Sequence, residues 1–193
     1  EEQGKPIADA MGEVYGAAAF TRYFASLDIP TEVMRDDDTR RIEVRHNPLG
    51  VVAAIIPWNF PVMLMFFKLP AALMAGNTIV VKPAPTTPVT SLRIYELVKD
   101  VFPAGVVNVI TDQNDLGPLL TTHPDVAKVS FTGSTGTGAK VMASAAETVK
   151  RITLELGGND PSIILDDVDV KETAPKVFNA AFANSGQVCL AVK

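Results

Sequence analysis

An α/β fold built on a doubly wound parallel sheet is predicted by three observations. Short, continuously apolar segments recur along the chain, amphipathic helical segments separate them, and a glycine-rich turn carries one strand end straight into a helix. Apolar strands without alternation are strands covered on both faces, and helices between them are the crossovers that parallel pairing requires. The 193 residues are enough for one full core, and 47% hydrophobic with 20% charged residues is ordinary globular composition.

Small and aromatic residues at helical spacing between 7 and 27 (Met11, Val14, Ala18, Phe20, Phe24) predict a helix with one packed face, closed by Asp28-Ile29-Pro30. Arg41 to Arg45 alternates charged with apolar, the pattern of a strand with one wet face, and residues 40–48 are expected to form a ribbon suited to an edge or an oligomer contact. Leu49 to Ile56 reads as a strand buried on both sides. No charge occurs from Asn47 to Phe67, a length that could span a bilayer. Pro48, Pro57 and Pro61 and the polar Asn59 argue instead for a strand, a turn and a helix. That helix is expected from about Phe60 to Ala75.

The alternation continues with strand Thr78–Val81, helix Val89–Val101, strand Val106–Ile110 and a short helix over Leu116–Thr122. Strand Ala127–Phe131, a helix after Ser134, strand Arg151–Leu156, strand Ser162–Leu165 and a helix from about Val170 to Ser185 complete it. No internal repeat or low-complexity tract interrupts this order.

Charge and cysteine content exclude some partners. Seventeen Lys plus Arg against 22 Asp plus Glu give a net charge of −5 with no basic run, which disfavours nucleic acid and anionic membranes. One cysteine, Cys189, excludes an internal disulfide and points to a cytoplasmic protein. The first residues carry no secretory pattern and no initiator Met, so a processed or excised chain with its native start upstream is expected.

Four segments carry the residue types that do chemistry. In Phe131-Thr132-Gly133-Ser134-Thr135-Gly136-Thr137-Gly138 the glycines and the helix start suit a phosphate, although a tight turn capped by Ser134 explains them equally. Lys82 ends a buried strand at the edge where open parallel sheets bind ligands, and is either a partner for nucleotide hydroxyls or a strand exit into solvent. Cys189 is a nucleophile or an inert core thiol, and Glu155, among apolar neighbours, is a base with a raised pKa or a surface carboxylate. Asn59, between Pro57 and Pro61, is a rigid amide for an oxyanion or the cap of the following helix.

Taken in order, P-W-N-F-P, K-P-A, F-T-G-S-x-x-x-G, L-E-L-G-G and G-Q-x-C resemble the aldehyde dehydrogenase superfamily from about Leu49 onward, with the Glu155 to Cys189 spacing also similar. The resemblance implies an oxidoreductase with a Rossmann-like cofactor domain, residues 1–156, followed by the beginning of an α/β catalytic domain, residues 157–193. It implies that Cys189 attacks an aldehyde, that Asn59 and the Cys189 N–H hold the oxyanion, and that Glu155 activates the water that hydrolyses the thioester. It further implies NAD or NADP held by Ile56, Pro57, Trp58, Lys82, Gly133, Ser134, Gly138 and Leu156, no metal, a small aldehyde as substrate, and a homodimer or homotetramer.

Three departures qualify it. Pro85 stands where NAD-preferring members carry a ribose-binding glutamate, which admits NADP while leaving NAD slightly favoured. Asn159-Asp160 replaces a frequent lysine, and the family's E-x-F-x-P segment is not within these residues. The chain is therefore expected to be a fragment with little turnover by itself. The alternatives are a CoA-acylating aldehyde dehydrogenase and a noncatalytic nucleotide-binding module.

Overall fold

The computed structural model describes residues 2–192. Helix α1 (Ile7–Ala25) is followed by strands β1 (Glu32–Asp37), β2 (Arg40–Val44) and β3 (Val51–Ile55), helices α2 (Pro61–Phe66) and α3 (Leu69–Met74), and strand β4 (Thr78–Lys82). Then come α4 (Val89–Val98), β5 (Val107–Val109), α5 (Leu116–Thr122), β6 (Val126–Thr132), α6 (Thr135–Ala146), β7 (Arg151–Glu155), α7 (Val170–Phe182) and a 3-10 turn over Ala183–Gly186.

Strands β5, β4, β3, β6 and β7, in that spatial order, form an all-parallel sheet. Strand β3 is the centre, and the chain winds outward from it to one edge and then to the other. One face is packed by α2, α3 and α4, with Val52, Ala54, Ile79 and Val81 against Met65, Leu69 and Ile94. On the other, Ala53, Ile55, Val129 and Phe131 meet Leu120 of α5 and Val141 of α6. Burial on both faces is why β3 and β4 read as unbroken apolar runs. The reversal of winding between β3 and β6 opens a crevice at their C-terminal ends, the ligand position of doubly wound sheets.

The structure departs from the sequence reading at three places. The single helix expected over Phe60–Ala75 is two short helices broken at Phe67-Lys68. Pro70 has no N–H to give and its ring clashes with the carbonyl of Phe66, so the chain restarts its helix there. Ser162–Leu165 is not a strand: Ile163 is 81% and Leu165 63% exposed, and the nearest pairing is an isolated bridge between Asp160 and Val192. Apolar residues alone do not make a strand when no neighbouring strand pairs with them. Strand β1 was not anticipated. It pairs antiparallel with β2, and Asp37 turns the hairpin by accepting hydrogen bonds from the Thr39 N–H at 2.8 Å and the Arg40 N–H at 3.1 Å. The Thr39 hydroxyl, then the Thr39 N–H and Arg35, hold the Asp37 carboxyl down at about 2. As expected, the uncharged stretch 47–67 lies in strand, turn and short helix, and no helix among the described residues is long and apolar enough to cross a membrane.

Helix α1 lies across α2 and α3. Gly16 permits the approach, since a Cβ there would stand 2.1 Å from the Met63 methyl, and the Phe20 and Phe67 rings lie 4.4 Å apart. Glu13 of α1 is buried, paired with Lys5, and accepts from the N–H groups of Val62 and Met63, both at 3.1 Å. A carboxylate from another helix thus caps α2, and Asn59 does not.

Candidate active site

Two clefts meet at the crevice, separated by the end of β6. The first, about 530 Å³, is walled by Trp58 and Asn59 from the turn after β3, Thr132 and Gly133 from β6, Leu156 after β7, and Cys189. The second, about 670 Å³, lies between Ile56, Pro57, Trp58 and Lys82 on one side and Gly133, Ser134 and Thr137 on the other. Pro57, Trp58, Thr132, Gly133 and Ser134 line both, so the clefts are adjoining compartments of one site.

The Asn59 turn is clamped. Its carbonyl accepts from Lys5 Nζ at 2.8 Å, and the same ammonium sits 3.5 Å from the centre of the Phe60 ring. The side-chain Nδ2 donates to the Gln187 carbonyl at 2.9 Å, while Oδ1 accepts from the Phe60 N–H at 3.2 Å. An amide nitrogen carries two protons, so one remains for a ligand. The bond to Gln187 ties Asn59 to the loop that carries Cys189.

That loop is shaped by three consecutive residues in the left-handed region, Asn184 (φ 49°), Ser185 (φ 58°) and Gly186 (φ 76°). For the two non-glycine residues this conformation costs about 1 kcal/mol or more each. It folds the chain back after α7 and leaves Cys189 partly exposed on the first cleft. Gly158 makes room for it, since a Cβ at 158 would stand 2.9 Å from the Cys189 carbonyl. A partly exposed thiol on a cleft wall is not an inert core cysteine.

Glu155 differs from expectation. It is exposed at the end of the edge strand β7 rather than enclosed by apolar neighbours, and its side chain lines neither cleft. Its backbone carbonyl accepts from the Gly133 N–H at 3.0 Å, which joins β7 to the glycine-rich turn. Its charge reaches Lys68, a buried lysine between α2 and α3 that donates to Ser130 Oγ at 3.0 Å. Burial pushes the Lys68 ammonium down to about 8, with the Glu155 charge opposing and Lys128 adding to the shift. Sequence reasoning passed over Lys68, although a cation in the middle of so long an apolar stretch was a signal.

At the glycine-rich turn Ser134 caps α6, its Oγ accepting from the Thr137 N–H at 3.3 Å. Gly138 is buried and lines neither cleft. Its N–H is engaged with the Ser134 carbonyl at 2.9 Å, and a Cβ there would come 2.5 Å from Leu156 Cδ2. The role of Gly138 in this geometry is to bring α6 against β7. Beside it the Thr132 hydroxyl is buried without a hydrogen-bond partner, between the two clefts.

Lys82 does not exit into solvent. It is 4% exposed, donates to the Asp112 carboxylate at 2.8 Å and lies 3.3 Å from the Pro83 carbonyl. Asp112, in the loop after β5, was also missed, because its surroundings read as an ordinary polar turn.

The model of the aldehyde dehydrogenase family matches residues 1–193. An aldehyde dehydrogenase of a Fusarium species, LUC3, is 47% identical over 190 residues, covering 98% of this chain and 40% of its own length. The crystal structure of an E. coli NADP-dependent enzyme superposes with a TM-score of 0.93 at 42% identity, over 99% of this chain and 41% of that one. The crystal structure of PnpE in complex with nicotinamide adenine dinucleotide gives 0.93 at 42% identity, over 98% and 40%. The chain spans about 40% of the length of the curated relatives it matches.

Proposed function

The chain belongs to the aldehyde dehydrogenase family, and from that premise we propose that its protein oxidises a small aldehyde to the carboxylic acid through a covalent adduct on Cys189, with NAD or NADP as oxidant. The observation that carries this reading is the shared cleft of Cys189 and Asn59, held together through Gln187 and opening into a second cleft beside the start of α6.

The dinucleotide fits the residues present. Thr132, whose buried hydroxyl has no hydrogen-bond partner, lines both clefts, and the N-terminus of the twelve-residue α6 offers backbone donors and partial positive charge beside Gly133 and Ser134. Ile56, Pro57, Trp58 and Lys82 would hold the adenosine end, Gly133 and Ser134 the pyrophosphate, and Leu156 the nicotinamide end. When bound, the cofactor supplies the two-electron acceptor.

The Cys189 thiolate attacks the aldehyde carbon, forming a C–S bond and an alkoxide on the former carbonyl oxygen. The second proton of Asn59 Nδ2 and the Cys189 N–H donate to that oxygen. Oxidation of this adduct leaves a thioester on Cys189. Glu155, next in sequence to the cleft residue Leu156, takes a proton from water as it adds to the thioester carbonyl. The C–S bond then breaks, releasing the acid and the thiolate. An exposed base suits this step, since its co-substrate is solvent. A reducing compartment such as the cytoplasm suits the free thiol, and the ribbon over residues 40–48, which contains β2, is the surface we assign to self-association.

At native length, with a small aldehyde and NAD(P)+, the protein is expected to form NAD(P)H and acid without CoA, and the Cys189→Ala variant to form none. Unchanged NAD(P)H formation by that variant would overturn the reading. A strict requirement for CoA would replace hydrolysis with acyl transfer.

A further inference from the structure

Lys82, which lines the second cleft, belongs to an ion pair that the aldehyde chemistry does not use. Lys82, on β4, and Asp112, after β5, meet at 2.8 Å with side chains only 5% and 0% exposed. Asp112 is fixed from its other side as well, its Oδ2 accepting from the Leu116 N–H at 3.1 Å. It remains the charged partner: burial, the largest single influence, pushes its carboxyl up, but the hydrogen bonds from Lys82 and the Leu116 N–H, the Lys82 charge and the Asn114 N–H together keep it below the ordinary range. Two of the three Lys82 donors are directed at Asp112 and the Pro83 carbonyl, which leaves one for a ligand.

This arrangement decides what the ammonium can attract. A lone buried lysine is a strong site for a phosphate, whereas a lysine matched by a buried carboxylate offers a single hydrogen bond and almost no net charge. Pro85, on the wall of the same cleft, adds neither charge nor donor. Lys140 is the other cationic side chain on this cleft among the described residues, and it stands exposed on α6.

We propose that Asp112 determines cofactor choice by neutralising Lys82, so that the adenosine ribose is accepted with a free 2′-hydroxyl and a 2′-phosphate is rejected. The chain is then selective for NAD over NADP, and Asp112 acts through Lys82 without touching the cofactor. This inference rests on reading the second cleft as the adenosine end. A ribose hydroxyl accepts the remaining Lys82 proton at no electrostatic cost. A 2′-phosphate in the same position adds about two negative charges close to a carboxylate whose only cation is already matched.

The test is calorimetric binding of NAD+ and of NADP+ to the protein at native length, without substrate. The native protein is expected to bind NAD+ at least about tenfold more tightly than NADP+, and Asp112→Asn to tighten NADP+ about tenfold while changing NAD+ little. The asparagine oxygen can still accept from the Leu116 N–H. NADP+ is also expected to raise the melting temperature of Asp112→Asn more than NAD+ does, because it supplies the anion that Lys82 has lost. A native preference for NADP+, pointing to Lys140 as the phosphate partner, would overturn the proposal without any variant having to fold. So would an unchanged NAD+ to NADP+ ratio in Asp112→Asn, which leaves the cleft assignment standing. Failure of both cofactors to bind would overturn the cleft assignment and this proposal with it.

Discussion

Single side chains at this site have their functions set by what holds them. Asn59 is useful as a donor because Gln187 occupies one of its amide protons and Phe60 occupies its oxygen, so the remaining N–H has one direction. Asn59→Ala is expected to lower kcat by about a hundredfold or more with a small change in KM, the signature of a donor that acts on the transition state. Steady-state kinetics at saturating cofactor measure it. Glu13 supports that geometry from behind. Glu13→Ala removes the cap of α2 and strands Lys5 in a buried position, and is expected to cost about 3 kcal/mol of stability by chemical denaturation.

Lys68 carries a pH dependence of definite sign. Its folded pKa of about 8 lies below the ordinary value of 10.5, burial being the main cause. Between those values the unfolded chain binds more protons than the folded one, so this residue's contribution to stability rises with pH across that window. Below pH 8 the full penalty of the buried charge applies. Relative to Lys68→Met, the native protein is expected to show its largest deficit in urea midpoint at pH 7 and a shrinking one as pH rises from 8 to 10. A deficit independent of pH would assign the difference to packing.

At the scale of elements, contacts between glycines and side chains set the spacing around the crevice. Gly138→Ala drives a methyl group into Leu156 and is expected to destabilise by about 1–3 kcal/mol, partly reversed by Leu156→Ala in a double-mutant cycle. Additive costs would mean that the two do not meet. Elements were legible in the sequence where period and burial agree. Strands β3, β4 and β6, apolar on both faces, fall where their runs of Val, Ile and Ala lie, and α5 and α6 follow their turn residues. Strand β1 escaped because all of it is exposed and its acidic end resembles a loop. Ser162–Leu165 misled for the opposite reason, since its apolarity is real but no neighbouring strand pairs with it. The candidate residues that line the clefts, such as Asn59, Lys82, Gly133 and Cys189, stand in segments that the sequence singles out. What they touch was not legible, because the partners of Asn59, Lys82 and α2 are Gln187, Asp112 and Glu13, each distant in sequence from the residue it holds.

For the whole molecule, the part built on the parallel sheet is the more complete. The sheet has both faces covered, whereas the segment after β7 presents Ile163, Leu165, Phe178 and Phe182 with exposures of 81, 63, 61 and 61%. Apolar surface of that extent belongs against other protein. Residues 1–193 expressed alone are therefore expected to bind an apolar dye such as ANS and to sustain no NAD(P)H production, while the protein at native length does the reverse. Turnover by the isolated chain at the native rate would show that these surfaces need no cover.

In the proposed reaction Cys189 carries the substrate as a thioester and Glu155 controls its release. Mass spectrometry of the peptide containing Cys189, after quenching the Glu155→Gln variant at native length with aldehyde and cofactor, tests it most directly. Cys189 is expected to gain the mass of the acyl group, with one equivalent of reduced cofactor formed. Reduced cofactor produced over many turnovers with Cys189 unmodified throughout would contradict it.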